Sequence, residues 1–365
     1  MIFGVPKEVR PLESRVGLTP VAVDSLIRAG HQVYVEQSAG ERAGFSNDDF
    51  EAVGAHVVYS PQEAYGRADV VLKVGRPIED EYKYFISSQT IFSFLHLAVA
   101  SKDLLNTLLE KEITAIGYET IEADDETLPI LKTTSEIAGR MAPIIAGELL
   151  DSLKGGRGIL LSGVPGTPSA AVVILGAGVL GTNAARIFNE FGTQVTLIDE
   201  NMEALQKIDE MFAGKIATMF ANPHNIAKAV AFADVLICTA AKPGEKAPIL
   251  VTREMLRKMN PRTVLIDFAI NSGGNAETSH PTTLANPSYV EEGIIHYCVP
   301  NVPSRVARTG SYAHSNAILP YLLEIGESDI ESAIESIPEL KRGLNTLKGK
   351  LVHPRVAAEV GMKIE

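Results

Sequence analysis

Residues 172–181 read Val172-Val173-Ile174-Leu175-Gly176-Ala177-Gly178-Val179-Leu180-Gly181, an apolar run that leads directly into Gly-x-Gly-x-x-Gly. The apolar run is typical of a buried strand, and the glycines are typical of a turn that binds a dinucleotide. Gly176 allows the tight turn, Gly178 lets a pyrophosphate approach the backbone, and Gly181 lets the next helix pack close to the strand. Free N–H groups at the helix N-terminus then attract the phosphates. A purely structural glycine turn is the alternative interpretation.

An acidic residue follows this motif where the ribose of a dinucleotide is usually bound. Asp199 comes after the predicted helix 179–192 and ends the predicted strand 194–198. A carboxylate there accepts hydrogen bonds from both ribose hydroxyls, and its charge repels a 2′-phosphate. We therefore expect NAD rather than NADP as cofactor. The contacts expected from this segment are Gly176, Ala177, Gly178, Val179, Gly181 and Asp199.

Composition narrows the class of protein. A chain of 365 residues is long for one core and suits two domains. Its net charge of −12 argues against nucleic acid and anionic membrane partners. No apolar run reaches the ~18 residues of a membrane span. The two cysteines, Cys238 and Cys298, and the scattered histidines show no metal-ligand spacing, so we expect a cytoplasmic protein without a metal site.

Strands and helices alternate along most of the chain, which predicts α/β domains with parallel sheets. The long helix 132–153 and the glycine-rich loop 155–168 separate a first series of strands from a second series, and the pattern turns helical from residue 311. We predict two Rossmann-like, doubly wound domains, the NAD-binding domain being inserted into a discontinuous substrate domain. The expected NAD-binding domain is 132–304, and the expected substrate domain is 1–131 with 305–365.

Three places in the first domain offer side chains for chemistry. Arg15 precedes a helix start and can grip a carboxylate with its planar fork, although a solvated arginine has the same signature. His96 ends an apolar strand, where an imidazole can exchange protons with a substrate; a buried structural histidine is the alternative. Lys73 and Arg76 follow another strand and form either a cationic rim for an anionic substrate or an ordinary exposed loop.

Several short motifs, in this order along the chain, resemble those of the alanine dehydrogenase family, which also includes the first domain of the proton-pumping transhydrogenase. They are Gly4-Val5-Pro6-Lys7-Glu8, Arg15-Val16 with Leu18-Thr19-Pro20, Phe94-Leu95-His96-Leu97-Ala98, Ser135-Glu136-Ile137-Ala138-Gly139-Arg140, Gly163-Val164-Pro165-Gly166, the glycine motif, Pro281-Thr282-Thr283, and Tyr297-Cys298-Val299 with Asn301. The resemblance implies a split substrate domain, a homo-oligomer (a hexamer), and oxidative deamination of L-alanine to pyruvate and ammonia with NAD.

The resemblance also implies roles for single residues. Arg15 corresponds to the arginine that binds the substrate carboxylate, and His96 corresponds to the catalytic histidine. Ser135 corresponds to a residue that contacts the cofactor, and Asp199 to the acid that binds the ribose. Further cofactor contacts are expected at Ala240, Ile270 and Asn301.

Two departures from the family pattern lie at catalytic positions. The family reads Lys-Val-Lys-Glu-Pro where this chain reads Lys73-Val74-Gly75-Arg76-Pro77, so Gly75 stands where a lysine holds the substrate carbonyl. The family also reads Ala-Ile-Asp-Gln-Gly-Gly, but here Asn271 stands at the aspartate position and cannot take up a proton near neutral pH. Lys73, two positions earlier on the same face, is the nearest lysine for substrate binding, and Arg76 is expected to point the other way.

These departures favour an NAD-dependent oxidoreductase that acts on an amino, imino or keto acid other than alanine. In that interpretation Arg15 and Lys73 bind the substrate, and His96 and Asn271 serve the chemistry. An authentic alanine dehydrogenase is the first alternative, and a non-catalytic NAD-binding protein is the second.

Overall fold

The computed structural model describes residues 1–242 and 244–364, which form two compact units. The first unit consists of Met1–Thr134, Gly244 with Glu245, and the C-terminal segment from Pro303. The second unit consists of Ser135–Lys242 and Lys246–Val302.

The described residues form strands and helices at the following places. The strands are β1 Ile2–Val5, β2 Gln32–Glu36, β3 His56–Val58, β4 Val70–Leu72, β5 Thr90–Ser93, β6 Thr114–Gly117, β7 Ala171–Leu175, β8 Gln194–Asp199, β9 Ala217–Phe220, β10 Val235–Cys238, β11 Val264–Asp267, β12 Ser288–Glu291, β13 Ile294–Tyr297, β14 Leu344–Leu347 and β15 Lys350–Leu351. The α-helices are α1 Pro20–Arg28, α2 Asn47–Ala52, α3 Pro61–Gly66, α4 Glu79–Tyr82, α5 Lys102–Glu110, α6 Pro129–Leu150, α7 Val179–Glu190, α8 Met202–Phe212, α9 Pro223–Phe232, α10 Arg253–Leu256, α11 Ala307–Glu327, α12 Ile330–Ser336, α13 Pro338–Gly343 and α14 Pro354–Val360.

The sheet of the first unit has the order β15-β14-β6-β5-β4-β1-β2-β3. The strands from β6 to β3 are parallel, so the carboxyl ends of β6, β5, β4 and β1 lie side by side at one edge. The β14–β15 hairpin pairs antiparallel with β6. The expectation that everything after residue 311 is helical was therefore wrong at this hairpin. Its strands are too short for an alternating pattern, and its turn uses Lys348 and Gly349, both with positive φ.

The sheet of the second unit has the order β12-β13-β11-β10-β7-β8-β9, with antiparallel pairing at β12 alone among the described strands. Its central strand β7 is the apolar run of the glycine motif, buried at residues 172–175 and paired with β10 and β8. The strand order reverses at β7, and in such sheets ligands bind beside the carboxyl ends at that point. The predicted fold class of two Rossmann-like α/β domains is confirmed.

The long helix begins and ends three residues earlier than predicted, at Pro129 and Leu150. Gly139 lets it approach α7 closely, because a Cβ atom there would lie 2.9 Å from Cβ of Asn183. Within residues 1–242 and 244–364, no helix is both long enough and apolar enough to cross a membrane.

Candidate functional site

Polar side chains of the first unit converge at the carboxyl ends of four neighbouring strands. Glu8 follows β1, and its Oε1 accepts a hydrogen bond from the N–H of Val74 after β4, at 2.6 Å. Glu119 follows β6, and its carboxylate accepts the N–H groups of Leu95 (3.1 Å) and His96 (2.6 Å) after β5. Two buried glutamates thus join the strand ends in pairs, Glu8 those of β1 and β4 and Glu119 those of β5 and β6, where the predicted histidine lies.

His96 is held in an unusual backbone conformation. Its φ is +45°, in the left-handed region that non-glycine residues rarely adopt, and the bond to Glu119 stabilises it. Its ring stacks on Phe94, with centroids 6.1 Å apart. Burial lowers the pKa of His96; Glu119 opposes this shift, and the cations Arg76 and Arg10 reinforce it. The imidazole is therefore neutral near pH 7 and able to accept a proton.

Arg15 is buried together with Glu13. Its Nε and Nη2 atoms each donate to a Glu13 carboxylate oxygen at 2.7 Å, and the backbone N–H of Arg15 bonds to the same carboxylate. Burial alone would lower the pKa of Arg15, but the Glu13 carboxylate outweighs it and the pKa is raised. Glu13 thus orients a charged guanidinium, and no described residue accepts a hydrogen bond from its Nη1 atom. That edge is free for a substrate carboxylate.

Helix α11 supports the loop that carries Arg15. The Ser311 hydroxyl accepts the N–H of Val16 at 3.0 Å, and the Ser315 hydroxyl accepts the N–H of Thr19 at 2.9 Å. A Cβ atom at Gly310 would lie 2.9 Å from Cδ of Arg15, so the absence of a side chain lets the helix pack against the arginine.

His314, one turn further along α11, is fully buried beside Tyr118, with ring centroids 4.6 Å apart. Among the described residues, neither ring nitrogen of His314 has a hydrogen-bond partner, nor does the hydroxyl of Tyr118. Burial lowers the pKa of His314 to about 3, with Arg15 adding to the shift and Glu13 opposing it. His314 is therefore a neutral, unpaired imidazole inside the first unit.

Lys73 lies inside the unit and not at its surface. Its ammonium is 2.6 Å from Oε1 of Glu81 and 3.1 Å from Oε2 of Glu8, and its side chain is 1% exposed. Burial alone would lower the pKa of Lys73, but the two carboxylates outweigh it and the pKa is raised. Both neighbours already compensate its charge, and the substrate contact expected for Lys73 stays a prediction.

The position of the family lysine is bordered by another cation. A Cβ atom at Gly75 would lie 3.2 Å from Cδ of Arg10 and 3.1 Å from Oε2 of Glu8. Arg10 donates from Nε to the carbonyl oxygen of Arg76 at 2.9 Å, and Arg76 donates from Nη1 to the carbonyl oxygen of His96 at 3.4 Å. Arg76 thus contacts the backbone of the catalytic candidate.

In the second unit, the three motif glycines have different surroundings. Gly176 has φ +110°, and a Cβ there would collide with the Thr239 hydroxyl. A Cβ at Gly181 would collide with the carbonyl oxygen of Gly176. Gly178 has nothing within 4 Å of its Cβ position, so packing within the protein does not require a glycine there. An open face at the N-terminus of α7 is the space that a pyrophosphate needs, and the loop therefore fits a dinucleotide.

The carboxylate of Asp199 is fixed at the end of β8. One oxygen accepts the N–H of Ala177 at 2.6 Å, and the other accepts the N–H of Asn201 at 2.7 Å. Each oxygen keeps a second lone pair for a ribose hydroxyl.

Asn271 lies in a 3₁₀ turn after β11. Its Nδ2 atom donates to the carbonyl oxygen of Pro300 at 2.8 Å, which ties this turn to the segment after β13. Nearby, Asn275 bonds through its side chain to both the N–H and the carbonyl oxygen of Ala240. The amide of Asn271 therefore has a structural partner, and its catalytic role stays a prediction.

The other predicted cofactor residues lie at various depths of the second unit. Ile270 is buried and Val179 is exposed, while Ser135 on α6 and Asn301 after β13 are half-buried. Phe220, at the end of β9, and Lys242, in the loop after β10, are exposed. In the part of the chain that the structure describes, no group of three His, Cys, Asp or Glu residues could hold a metal ion.

The sequence interpretation missed five residues of the first unit: Glu8, Arg10, Glu13, Glu119 and His314. Glu8 and Glu119 could have been found, because each lies within three residues of the end of a strand, at the edge where His96 was placed. Arg10, Glu13 and His314 join the cluster through tertiary packing and carry no local signal.

Comparison with known proteins covers the whole chain. Residues 4–138 match the model "Alanine dehydrogenase/PNT, N-terminal domain", and residues 142–354 match "Alanine dehydrogenase/PNT, C-terminal domain". An alanine dehydrogenase of Bacillus subtilis is 45% identical over 99% of this chain and 95% of its own length. An alanine dehydrogenase of Methanococcus maripaludis is 43% identical over 98% of this chain and 96% of its own length. A solved L-alanine dehydrogenase, 40% identical, superposes with a TM-score of 0.91 over 99% of both chains.

Proposed function

The chain belongs to the alanine dehydrogenase/PNT family, and we propose that it interconverts L-alanine and pyruvate. As the sequence predicted, it is an NAD-dependent oxidoreductase acting on CH–NH₂ groups. The full-length similarity to two alanine dehydrogenases carries the proposal of alanine and favours the first alternative of the sequence interpretation over a different substrate. In the deamination direction, L-alanine, NAD⁺ and water give pyruvate, ammonium, NADH and a proton.

The bound cofactor supplies the hydride acceptor, and residues of the first unit bind the substrate and transfer its proton. Nη1 of Arg15 binds the substrate carboxylate, with Glu13 fixing the guanidinium from the opposite edge. The neutral imidazole of His96 takes a proton from the reacting group and returns it in the reverse direction. Glu119 keeps the imidazole in place through the backbone of His96.

A different amino or keto acid remains the second candidate, because Gly75 and Asn271 replace a lysine and an aspartate of the family pattern. The deciding experiment follows NADH oxidation with ammonium and pyruvate, beside glyoxylate, 2-oxobutyrate and phenylpyruvate, with ammonium omitted as control. We expect pyruvate to give the highest kcat/KM. A kcat/KM about tenfold higher for another oxo acid would favour the second candidate. Binding of NADH without turnover on any acid would favour a non-catalytic protein.

We also propose the homo-oligomer that the family resemblance implies, a hexamer. Light scattering coupled to gel filtration measures the mass of the assembly, and a monomer of 39.2 kDa would contradict the proposal.

A further inference from the structure

The space beside Gly75 is bordered by the side chain of Arg10. A Cβ at residue 75 would lie 3.2 Å from Cδ and 3.9 Å from Cγ of Arg10. The methylene groups of Arg10 therefore run where a side chain at residue 75 would start. The backbone of Gly75 is outside the left-handed region, so an L residue could adopt its conformation. What a longer side chain at residue 75 would meet is Arg10 and the carboxylate of Glu8.

Arg10 is anchored at one atom and free at two. Its Nε donates to the carbonyl oxygen of Arg76 at 2.9 Å, which fixes the plane of the guanidinium. No described residue accepts a hydrogen bond from its two terminal nitrogens, and the residue is half-buried. A positioned guanidinium with free N–H groups is a ready donor to a carbonyl or carboxylate oxygen.

The charge of Arg10 also affects the pKa of His96, the candidate catalytic histidine. Together with Arg76 it disfavours the protonated form of His96, because both cations contribute to lowering the pKa of that imidazole. The Arg10 charge therefore lies close enough to His96 to influence a group that His96 contacts.

Three other cations at this edge have acidic or backbone partners within the protein. Lys73 lies between Glu8 and Glu81. Arg15 shares two bonds with Glu13, and Arg76 donates to the backbone of His96. None of these three side chains is among the atoms nearest to the Cβ position of residue 75, whereas the side chain of Arg10 is.

We propose that Arg10 replaces the family lysine in function: its terminal nitrogens donate to the reacting carbonyl oxygen of the 2-oxo acid from the side of Gly75. The proposal rests on the proposed function, since it concerns the substrate of the same site. It explains how a chain that lacks the lysine at residue 75 retains a cation for polarising the carbonyl.

The test compares Arg10→Ala, Arg10→Lys and the double variant Arg10→Ala/Gly75→Lys with the wild type. Arg28→Ala, which removes an exposed arginine of α1, is the matched control. We expect Arg10→Ala to lower kcat with pyruvate on the order of 10²-fold, and Arg10→Lys to lower it less. The double variant should recover about tenfold over Arg10→Ala, whereas Gly75→Lys alone should gain nothing because Arg10 and Glu8 border its space.

A second measurement separates substrate contact from folding. Calorimetric titration of the NADH complex with oxamate, a pyruvate analogue, should show binding weakened about tenfold or more in Arg10→Ala, with NADH affinity and Tm unchanged. Unchanged oxamate binding, no oxamate binding by the wild type, or a folded double variant that recovers no activity would each overturn the role of Arg10. Wild-type protein that binds oxamate but does not turn over pyruvate would instead overturn the proposed function alone.

Discussion

The carboxylate of Asp199 accepts the backbone N–H of Ala177 at 2.6 Å, so the residue at the end of β8 fixes the middle of the glycine loop after β7. Its second oxygen fixes the start of the next segment through Asn201. One side chain therefore shapes the glycine loop, and we propose that its charge also faces the ribose.

Replacing Asp199 by alanine should weaken NADH binding and reduce discrimination against NADPH. The variant loses two hydrogen bonds to a charged group, each worth about 1.5–3 kcal/mol, and removes the negative charge. We expect kcat/KM for NADH to fall by at least about tenfold, and the ratio of NADH to NADPH efficiency to fall with it. Glu210→Ala on the exposed face of α8 is the control. An unchanged ratio would contradict the role of Asp199 in cofactor choice.

Gly310→Ala should impair substrate binding without affecting the cofactor. The added Cβ would lie 2.9 Å from Cδ of Arg15, so the arginine has to move away from its position against Glu13. We expect a KM for pyruvate raised about tenfold with NADH affinity unchanged, measured by initial rates and by NADH fluorescence. Gly66→Ala, where a Cβ meets nothing within 4 Å, controls for alanine in place of a helical glycine. A normal KM would show that Arg15 is not held by this contact.

His314 should make the protein less stable in acid. Its pKa is about 3 in the folded protein and about 6.5 in an unfolded chain, so the unfolded state binds more protons between these values. Stability is therefore lost as the pH falls below about 6.5, by about 2 kcal/mol at pH 5 from this group. His314→Leu removes this contribution. When the pH is lowered from 7 to 5, the variant should therefore gain about 2 kcal/mol of stability relative to the wild type.

Urea unfolding at the two pH values measures the difference. His224→Leu, at an exposed position, is the control. A stability difference between His314→Leu and wild type that does not change with pH would mean that folding does not lower the pKa of this imidazole.

Asn271→Asp should lower activity at pH 8, although it restores the family residue. The change removes the amide that donates to Pro300 at 2.8 Å and places a carboxylate against a carbonyl oxygen. We expect the Tm of the variant to lie below that of the wild type at pH 8. At pH 5 the difference in Tm should be smaller, because a protonated carboxyl can donate the missing hydrogen bond. Higher activity than wild type at pH 8 would show that the aspartate chemistry outweighs the lost anchor.

The sequence predicted most of the sheet strands because their apolar runs and the punctuating glycines are local signals. The sequence predicted a strand at 2–5 and helices at 202–212 and 223–232, and β1, α8 and α9 have these bounds. The short elements were missed, including β3, α3 and the β14–β15 hairpin, because stretches of two to six residues do not establish a period.

The candidate site also has one part that local sequence predicts and another part that it does not. The motif predicts tight backbone positions at Gly176 and Gly181. In the structure, a Cβ atom at either position would collide with a neighbouring atom. That Lys73 would lie between two glutamates, or that Arg10 would border Gly75, depends on which strand ends become neighbours. Sequence spacing carries no information about such contacts, since residues 8 and 10 lie in the loop after β1, whereas residue 73 follows β4 and residue 81 lies on α4.

Contacts between the N-terminal and C-terminal segments set an order of events during translation. Strand β14 pairs with β6, and the hydroxyls of Ser311 and Ser315 accept N–H groups of the Arg15 loop. The first 134 residues emerge from the ribosome without their last two strands and without the helix that holds Arg15. The second unit has its whole sheet once residue 302 has emerged. A nascent chain halted shortly beyond that residue is therefore expected to bind NADH before it can hold a substrate, and the cofactor itself can serve as a ligand that stabilises the growing chain.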